Sequence, residues 1–302
     1  MNEPYLKPNA VIWYMASRPC LKDNLKLLYQ NFNGQYKYPV LVTTFGKQYS
    51  DRYIKKIHEE IDEGIKFIEL SKPEVPNHIK EEELFYNRKE IEYVRKSFPK
   101  SRIGYLHTNH FVGGQIMNHP EMKQYNYVLK MDDDTFIIKK IDFDLFQFME
   151  NNGYKFASSD LKKYDGERQK NCQIGLRDLA KKYLKDNNIN PVNKIALTDN
   201  GDWDSVCPYD PSIWDLRIFR NENWNTWWRA VEDSGGIYKY RWGDLEFHSL
   251  YLAMYYSGNV WYNFDFYNKG FVEHGGQGVV YSNWFLRKLQ ILKRVIFKKK
   301  YE

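Results

Sequence analysis

Three features of the sequence predict an α/β protein with a mixed, mostly parallel central sheet flanked by helices. First, apolar β-branched runs alternate with helically spaced segments between Asn9 and Leu70. Second, the dense apolar run at residues 125–131 has the composition of a strand buried on both faces, and it stops at three consecutive carboxylates. Third, no repeat, low-complexity tract or clean linker divides residues 1–283, so they predict a single domain.

Residues 9–16 read as the first strand, dense in Val11, Ile12, Trp13 and Tyr14. Ser17, Arg18 and Pro19 follow as a turn. Residues 21–32 carry helical spacing, 39–45 read as a second strand, 49–61 as a second helix and 65–70 as a third strand. This order calls for parallel pairing with right-handed crossovers, which brings Ser17 and Arg18 to the sheet end that carries the carboxylates. Residues 71–80, with Pro73 and Pro76, form a loop. Residues 81–98 and 103–118 read as helices separated at Pro99, the second interrupted by Gly113 and Gly114. Beyond the central strand come a short strand at 136–138, a helix at 144–151, a strand at 155–158, a charged loop at 161–173, a helix at 175–187 and an irregular stretch to 209. Residues 216–220 read as a strand, 224–231 as a helix and Ser234-Gly235-Gly236 as a turn. Arg241-Trp242-Gly243-Asp244 then opens a helix to about Ser257. Residues 259–264 read as a strand, and 270–278 as a Gly-rich loop around His274.

Asp132, Asp133 and Asp134 repel one another and cost several kcal/mol each to bury unpaired, so they belong at a strand end facing water or a cation. In open α/β sheets that end is where ligands bind. Hard oxygen ligands in a short loop suit Mg²⁺ or Mn²⁺ carrying a phosphate. An apolar strand, Asp-x-Asp and a second apolar strand is the arrangement a nucleotide-sugar transferase needs; the plain alternative is a solvated Asp-rich turn.

Composition narrows the field further. Aromatics make up 17% of the 302 residues, including 25 Tyr and 9 Trp, which suits sugar-stacking clefts as well as cores. The three cysteines, Cys20, Cys172 and Cys207, form neither a metal-type spacing nor a disulfide framework, which favours a reducing compartment. Met1–Pro8 is polar and the first apolar run is too short to span a bilayer. The sequence as it stands therefore reads as cytoplasmic or peripheral to a membrane, or as Golgi or ER luminal if a targeting segment has been removed. The last stretch, 284–302, holds seven Lys/Arg against one acid and accounts for the whole net charge of +6. A basic charge confined to one end, with no recognised motif, argues against nucleic acid as a partner. That stretch reads as a basic amphipathic helix with Phe285, Leu289, Leu292 and Ile296 in one stripe. It either rests on a membrane that carries the acceptor or packs on the domain.

Residues 105–149 and 218–248 resemble glycosyltransferase family 15, the yeast-type α-1,2-mannosyltransferases, most closely at Gly235-Gly236, Arg241-Trp242-Gly243-Asp244 and His248-Ser249. Asp142-Phe143-Asp144-Leu145-Phe146 and Asn118-His119-Pro120 also fit the family's pattern. The resemblance implies a GT-A fold, a nucleotide-sugar donor, Mn²⁺ (or Mg²⁺) and retention of anomeric configuration. The family's Arg-Val-Glu-Pro-Asp metal loop is here Lys130-Met131-Asp132-Asp133-Asp134. Asp132 and Asp134 are thus the expected metal ligands, since alternate residues point the same way, while Asp133 turns to the donor ribose or sugar. His274 is a further candidate ligand, or else a loop histidine. On the donor side the candidates are Ser17, Arg18, Tyr105, His110, Asp133 and Arg241. His110 stands where the family has Arg, which puts donor affinity or identity in question.

Asp244 either caps its helix or binds and deprotonates the acceptor hydroxyl, and the two roles are compatible. Tyr105 is a donor-site phenol or a core tyrosine. The family's proposed carboxylate nucleophile falls on Ser212. Asp210 or Asp215 takes its place, or the reaction runs on one face without a covalent intermediate, or it inverts with Asp244 as base. Together these readings predict transfer of a hexose, mannose from GDP-mannose by resemblance, to a hydroxyl of a glycan or glycoprotein. The rivals are a UDP-sugar-dependent galactosyl- or glucosyltransferase and a sugar-binding relative without turnover.

Overall fold

The computed structural model describes residues 7–97, 103–160, 174–193 and 210–275. The basic stretch 284–302, Cys172, Cys207 and the charged loop at 161–173 lie outside the described residues.

The first half folds as its alternation predicts. Strand β1 (Ala10–Met15) leads into helix α1 (Leu21–Leu28), β2 (Val40–Phe45), α2 (Asp51–Glu60) and β3 (Lys66–Leu70). A π-helical segment, Tyr29–Asn33, extends α1. Helices α3 (Glu92–Ser97) and α4 (Ile103–Gly113) precede the central strand β4 (Tyr127–Asp132) and the short β5 (Thr135–Ile137). Next come α5 (Leu145–Asn152), β6 (Phe156–Ser158), α6 (Leu176–Asp186) and β7 (Ser212–Asp215). The chain continues through α7 (Glu222–Ser234), α8 (Asp244–Tyr255), β8 (Trp261–Asn263) and β9 (Val272–His274).

The described residues form a seven-stranded sheet in the order β3-β2-β1-β4-β7-β6-β8 and a separate ribbon of β5 and β9. Strands β3, β2, β1 and β4 run parallel, β7 is antiparallel to its neighbours on both sides, and β6 pairs parallel with β8. Alternate residues of each strand enter two cores. Ile12, Tyr14, Leu129 and Met131 pack with α1, α2 and α5; Val11, Trp13, Val128 and Trp214 pack with α4, α6, α7 and α8.

Four sequence expectations change. Residues 81–98 are not one helix: Glu81–Glu83 and Phe85–Asn87 are single 3₁₀ turns before α3. Leu84 adopts extended backbone (φ −61°, ψ 133°) between the two turns and so interrupts the helix. The second helix stops at Gly113, since Gly114 leaves helical backbone (φ −148°, ψ −47°), and a Cβ on Gly114 would lie 2.1 Å from the Trp228 indole. Leu216–Phe219 is a 3₁₀ turn capped by the Asp215 side chain, and the strand precedes it. Val272–His274 is a strand across from β5 rather than part of a loop.

Candidate active site

The carboxylates occupy the tip of β4. Asp132 is the last residue of the strand, and Asp133 and Asp134 make the turn into β5. Asn24 of α1 pins that turn, donating to the carbonyls of Asp132 (3.2 Å) and Thr135 (2.8 Å) while accepting from the Tyr14 hydroxyl.

Asp133 is fully buried and faces the chain rather than open space. One oxygen accepts the backbone N–H groups of Ser17 and Arg18, each at 2.7 Å, and the other contacts the Arg18 guanidinium. The Cys20 thiol, a free cysteine, donates to the Asp133 carbonyl at 3.3 Å. Both Asp133 oxygens are therefore taken up in holding the β1–α1 turn against the β4–β5 turn. The Ser17 amide, for the same reason, is a partner of Asp133.

Asp134 is half-buried. Its Oδ1 accepts no hydrogen bond and lies 3.2 Å from Arg18 Nη1 and 3.9 Å from His274 Nδ1. Burial raises its carboxyl above the ordinary range; Arg18 and His274 oppose that, and Asp132 and Asp133 reinforce it. His274 faces Thr135 across the β5–β9 ribbon, with Nδ1 3.0 Å from Thr135 Oγ1. Among the described residues no three His, Cys, Asp or Glu side chains already stand at coordinating spacing. The donor set still fits a divalent cation: two carboxylates one residue apart, one with a buried oxygen lacking a hydrogen-bond donor, and an imidazole beside them.

Below Asp132, on the same face of β4, lies Lys130, which the sequence pattern absorbs as part of the strand. Its ammonium contacts Asp210 Oδ2 and sits 3.5 Å from Asp244 Oδ2. Burial alone would push this lysine down, but the carboxylates of Asp210, Asp244 and Asp132 outweigh it and hold the charge. Burial, with Asp132 and Asp244 nearby, raises the Asp210 carboxyl despite Lys130. Asp210 Oδ1 accepts the Ser212 hydroxyl at 2.6 Å, and Ser212 Oγ accepts the Trp214 indole N–H at 2.9 Å. The Tyr267 hydroxyl donates to the Asp210 carbonyl. Asp244 is the first residue of α8 and Gly243 holds the cap position, so its carboxylate serves Lys130 rather than the helix end.

Four other candidates have partners of their own. Asp215 pairs in register with Tyr127, five residues back along β4 from Asp132, or about 16 Å. There it is fully buried, accepts from Arg217 and meets Lys155 at 2.9 Å, contacts that hold it away from the Asp132–Asp134 turn. His110 is buried between Trp228 and Tyr238, with Nε2 2.8 Å from Glu232. Tyr105 and Arg241 meet each other, the guanidinium 4.3 Å over a ring that is 38% exposed. His248 is a core residue, with Nε2–H donating to the Gly113 carbonyl at 2.8 Å among Trp214, Phe219 and Trp224.

Residues 1–275 match the family described as glycolipid 2-alpha-mannosyltransferase. The chain belongs to that family. Among curated members it is 23% identical over 269 residues to the probable mannosyltransferase KTR3 of Saccharomyces cerevisiae, covering 86% of this chain and 63% of the relative. It is 21% identical over 284 residues to the O-glycoside alpha-1,2-mannosyltransferase omh1 of Schizosaccharomyces pombe, covering 91% and 71%. The chain thus spans only part of these family members. Core-mannan synthase A of Aspergillus fumigatus, solved in an Mn/GDP form, shares the fold at a TM-score of 0.75 and 21% identity, covering 87% of this chain and 75% of that one. The fold is the GT-A arrangement that the resemblance implies. No helix among the described residues is long and apolar enough to cross a membrane.

Proposed function

We propose that this family member is a metal-dependent glycosyltransferase that moves mannose from GDP-mannose to a hydroxyl of a glycan, with retention of anomeric configuration. The observation that carries the reading is the meeting of two acidic groups at one sheet end: the Asp132–Asp134 turn, and the Asp210–Lys130–Asp244 cluster directly beneath it. Asp132, Asp134 and His274 would hold Mn²⁺ or Mg²⁺, which when bound neutralises a diphosphate leaving group. The Mn/GDP form of core-mannan synthase A supports the choice of metal and nucleotide.

Within this reading the chain's own residues divide the work. Asp133 fixes the Ser17–Arg18 turn, which keeps the Arg18 guanidinium beside Asp134 at the place of the donor phosphates. Tyr105 and Arg241 form a paired cation and ring, and the family resemblance supports a role for the pair in donor binding. Asp244 receives the acceptor hydroxyl and orients it. The acceptor is a glycan or glycoprotein sugar. The basic stretch 284–302 contributes peripheral contact with an anionic membrane surface.

Nucleotide release tests the reading. The chain is incubated with GDP-mannose, UDP-glucose or UDP-galactose, with α-methyl mannoside as acceptor, with Mn²⁺ or with EDTA. The expected result is GDP release that requires Mn²⁺ and acceptor, with an α-linked product by NMR. Release of UDP but not GDP overturns the donor. A β-linked product overturns retention. Full activity of the Asp132→Ala, Asp134→Ala double variant overturns the metal site. Vesicles containing phosphatidylserine, co-sedimented with the chain ending at residue 283, test the membrane contact, and binding equal to that of the full chain overturns it.

A further inference from the structure

Lys130 is a charged side chain in the interior that strand packing does not explain. It lies between Leu129 and Met131 on β4, is 5% exposed, and shares the strand face of Asp132. An unpaired ammonium there costs several kcal/mol to desolvate. Two carboxylates meet it, one from before β7 and one from the first turn of α8.

The two carboxylates are held differently. Asp210 is fixed on both oxygens, by Lys130 on one and by the Ser212 hydroxyl on the other. Trp214 in turn fixes Ser212. Asp244 Oδ2 is buried and accepts no hydrogen bond, with Lys130 Nζ at 3.5 Å as its counter-charge. Asp210 thus anchors the ammonium, and the ammonium places the Asp244 carboxylate without using up its hydrogen-bonding capacity.

We propose that Lys130 is a positioning residue for the transfer reaction. Braced by Asp210 and Ser212, it sets the Asp244 carboxylate where the acceptor hydroxyl is received, and it touches neither donor nor acceptor. The inference deepens the proposed function and rests on it. It also gives Asp210 and Ser212 a common role, since both hold the lysine that holds Asp244. A lysine kept only for packing would be replaceable by an apolar side chain of similar length, because a buried ion pair is not in itself a strong source of stability.

A double-mutant cycle on Lys130→Met and Asp244→Asn tests this, with Lys130→Arg as the rescue. Transfer is read as kcat and KM for GDP-mannose at saturating α-methyl mannoside with Mn²⁺, GDP affinity by calorimetry, and folding by urea titration. Lys130→Met is expected to lower kcat on the order of 10²-fold while KM for GDP-mannose and GDP affinity move less than about threefold. Adding Asp244→Asn to it costs less than about threefold more, because both changes remove one function. Lys130→Arg restores kcat to within about tenfold of the parent. Multiplicative losses, a GDP affinity that falls in step with kcat, or an apolar variant as active as the parent each overturn the inference. Should Lys130→Met not fold, the cycle is run with Lys130→Arg, whose smaller loss must vanish in the Asp244→Asn background. A parent chain that binds GDP but releases none from GDP-mannose overturns the reaction reading itself. In that case coupling between Lys130 and Asp244 in urea unfolding shows the pair to exist, and additivity shows that it does not.

Discussion

Replacing Asp133 by Ala separates two roles for the middle carboxylate of the turn. The side chain is fully buried and accepts two backbone N–H groups at 2.7 Å, with the Arg18 guanidinium on its other oxygen. A hydrogen bond to a charged group contributes about 1.5–3 kcal/mol, so the two amides set a range of roughly 3–6 kcal/mol. Ser17 and Arg18 are exposed, so water can rehydrate their amides once the turn loosens, and the lower end of that range applies. The Arg18 side chain is 49% exposed, so the ion pair adds little. Asp133→Ala should therefore lose about 3 kcal/mol of unfolding free energy. Asp134→Ala, whose Arg18 partner is the same half-exposed guanidinium, should change it by less than about 1 kcal/mol. Urea titration of the ligand-free chain, followed by tryptophan fluorescence, reads both. If Asp133→Ala unfolds within about 0.5 kcal/mol of the parent yet loses GDP affinity, the carboxylate is a donor ligand and the reasoning fails.

Asp215→Asn should cost about 2–3 kcal/mol of stability, because it leaves Lys155 and Arg217 facing a neutral amide, while kcat per folded molecule stays within about twofold of the parent; a selective loss of kcat would return Asp215 to the catalytic set. Gly114→Ala should lose about 1–3 kcal/mol by driving a Cβ into Trp228. Gly104→Ala, at an open position of α4, should gain up to about 1 kcal/mol, and thermal melting compares the pair. Burial pushes the His248 imidazole down to about 3, Gly113 opposing and Lys130 adding to the shift, so the folded state keeps it neutral while the unfolded chain takes up a proton below about 6.5. Stability contributed by this group is complete above that value and falls as pH drops toward 3, by about 1.4 kcal/mol per pH unit. In His248→Gln, urea titrations at pH 6 and pH 4 should show a shallower loss by that slope, and an unchanged slope refutes it.

The parallel half of the sheet was legible because its strands are continuous apolar runs and its helices are periodic, two signals that do not overlap. The reading failed where the apolar run outlasted the strand. From Ile213 to Phe219 almost every residue is buried, but Asp215 caps the backbone at Arg217 and turns the second part into a 3₁₀ segment. Helical propensity misled at residues 81–98, where Leu84 turns to extended backbone directly after Glu81–Glu83 and ends the turn that those residues favour locally. Strand β9 has three residues between Gly270 and Gly275, too few for a period to show, so His274 read as a loop residue although it sits across a ladder from Thr135.

The carboxylates of the site were legible because charge interrupting an apolar strand needs a reason. The same logic applies to Lys130, a lysine inside that strand, and it was there to be read. Its partner could not be read, because Asp210 and Asp244 come from distant parts of the chain and converge only through the pairing of β4 with β7 and the placement of α8. That pairing also bears on Ser212, where the family resemblance leads to the expectation of a carboxylate. Ser212 stands opposite Lys130 in register, and its hydroxyl reaches Asp210 Oδ1 at 2.6 Å. Asp210 lies before the first residue of β7, so strand alternation does not place it, yet its carboxylate reaches the Lys130 ammonium. Both of its oxygens are held, one by Lys130 and one by Ser212, whereas Asp244 Oδ2 accepts no hydrogen bond, and the proposed positioning role of Lys130 rests on that contrast.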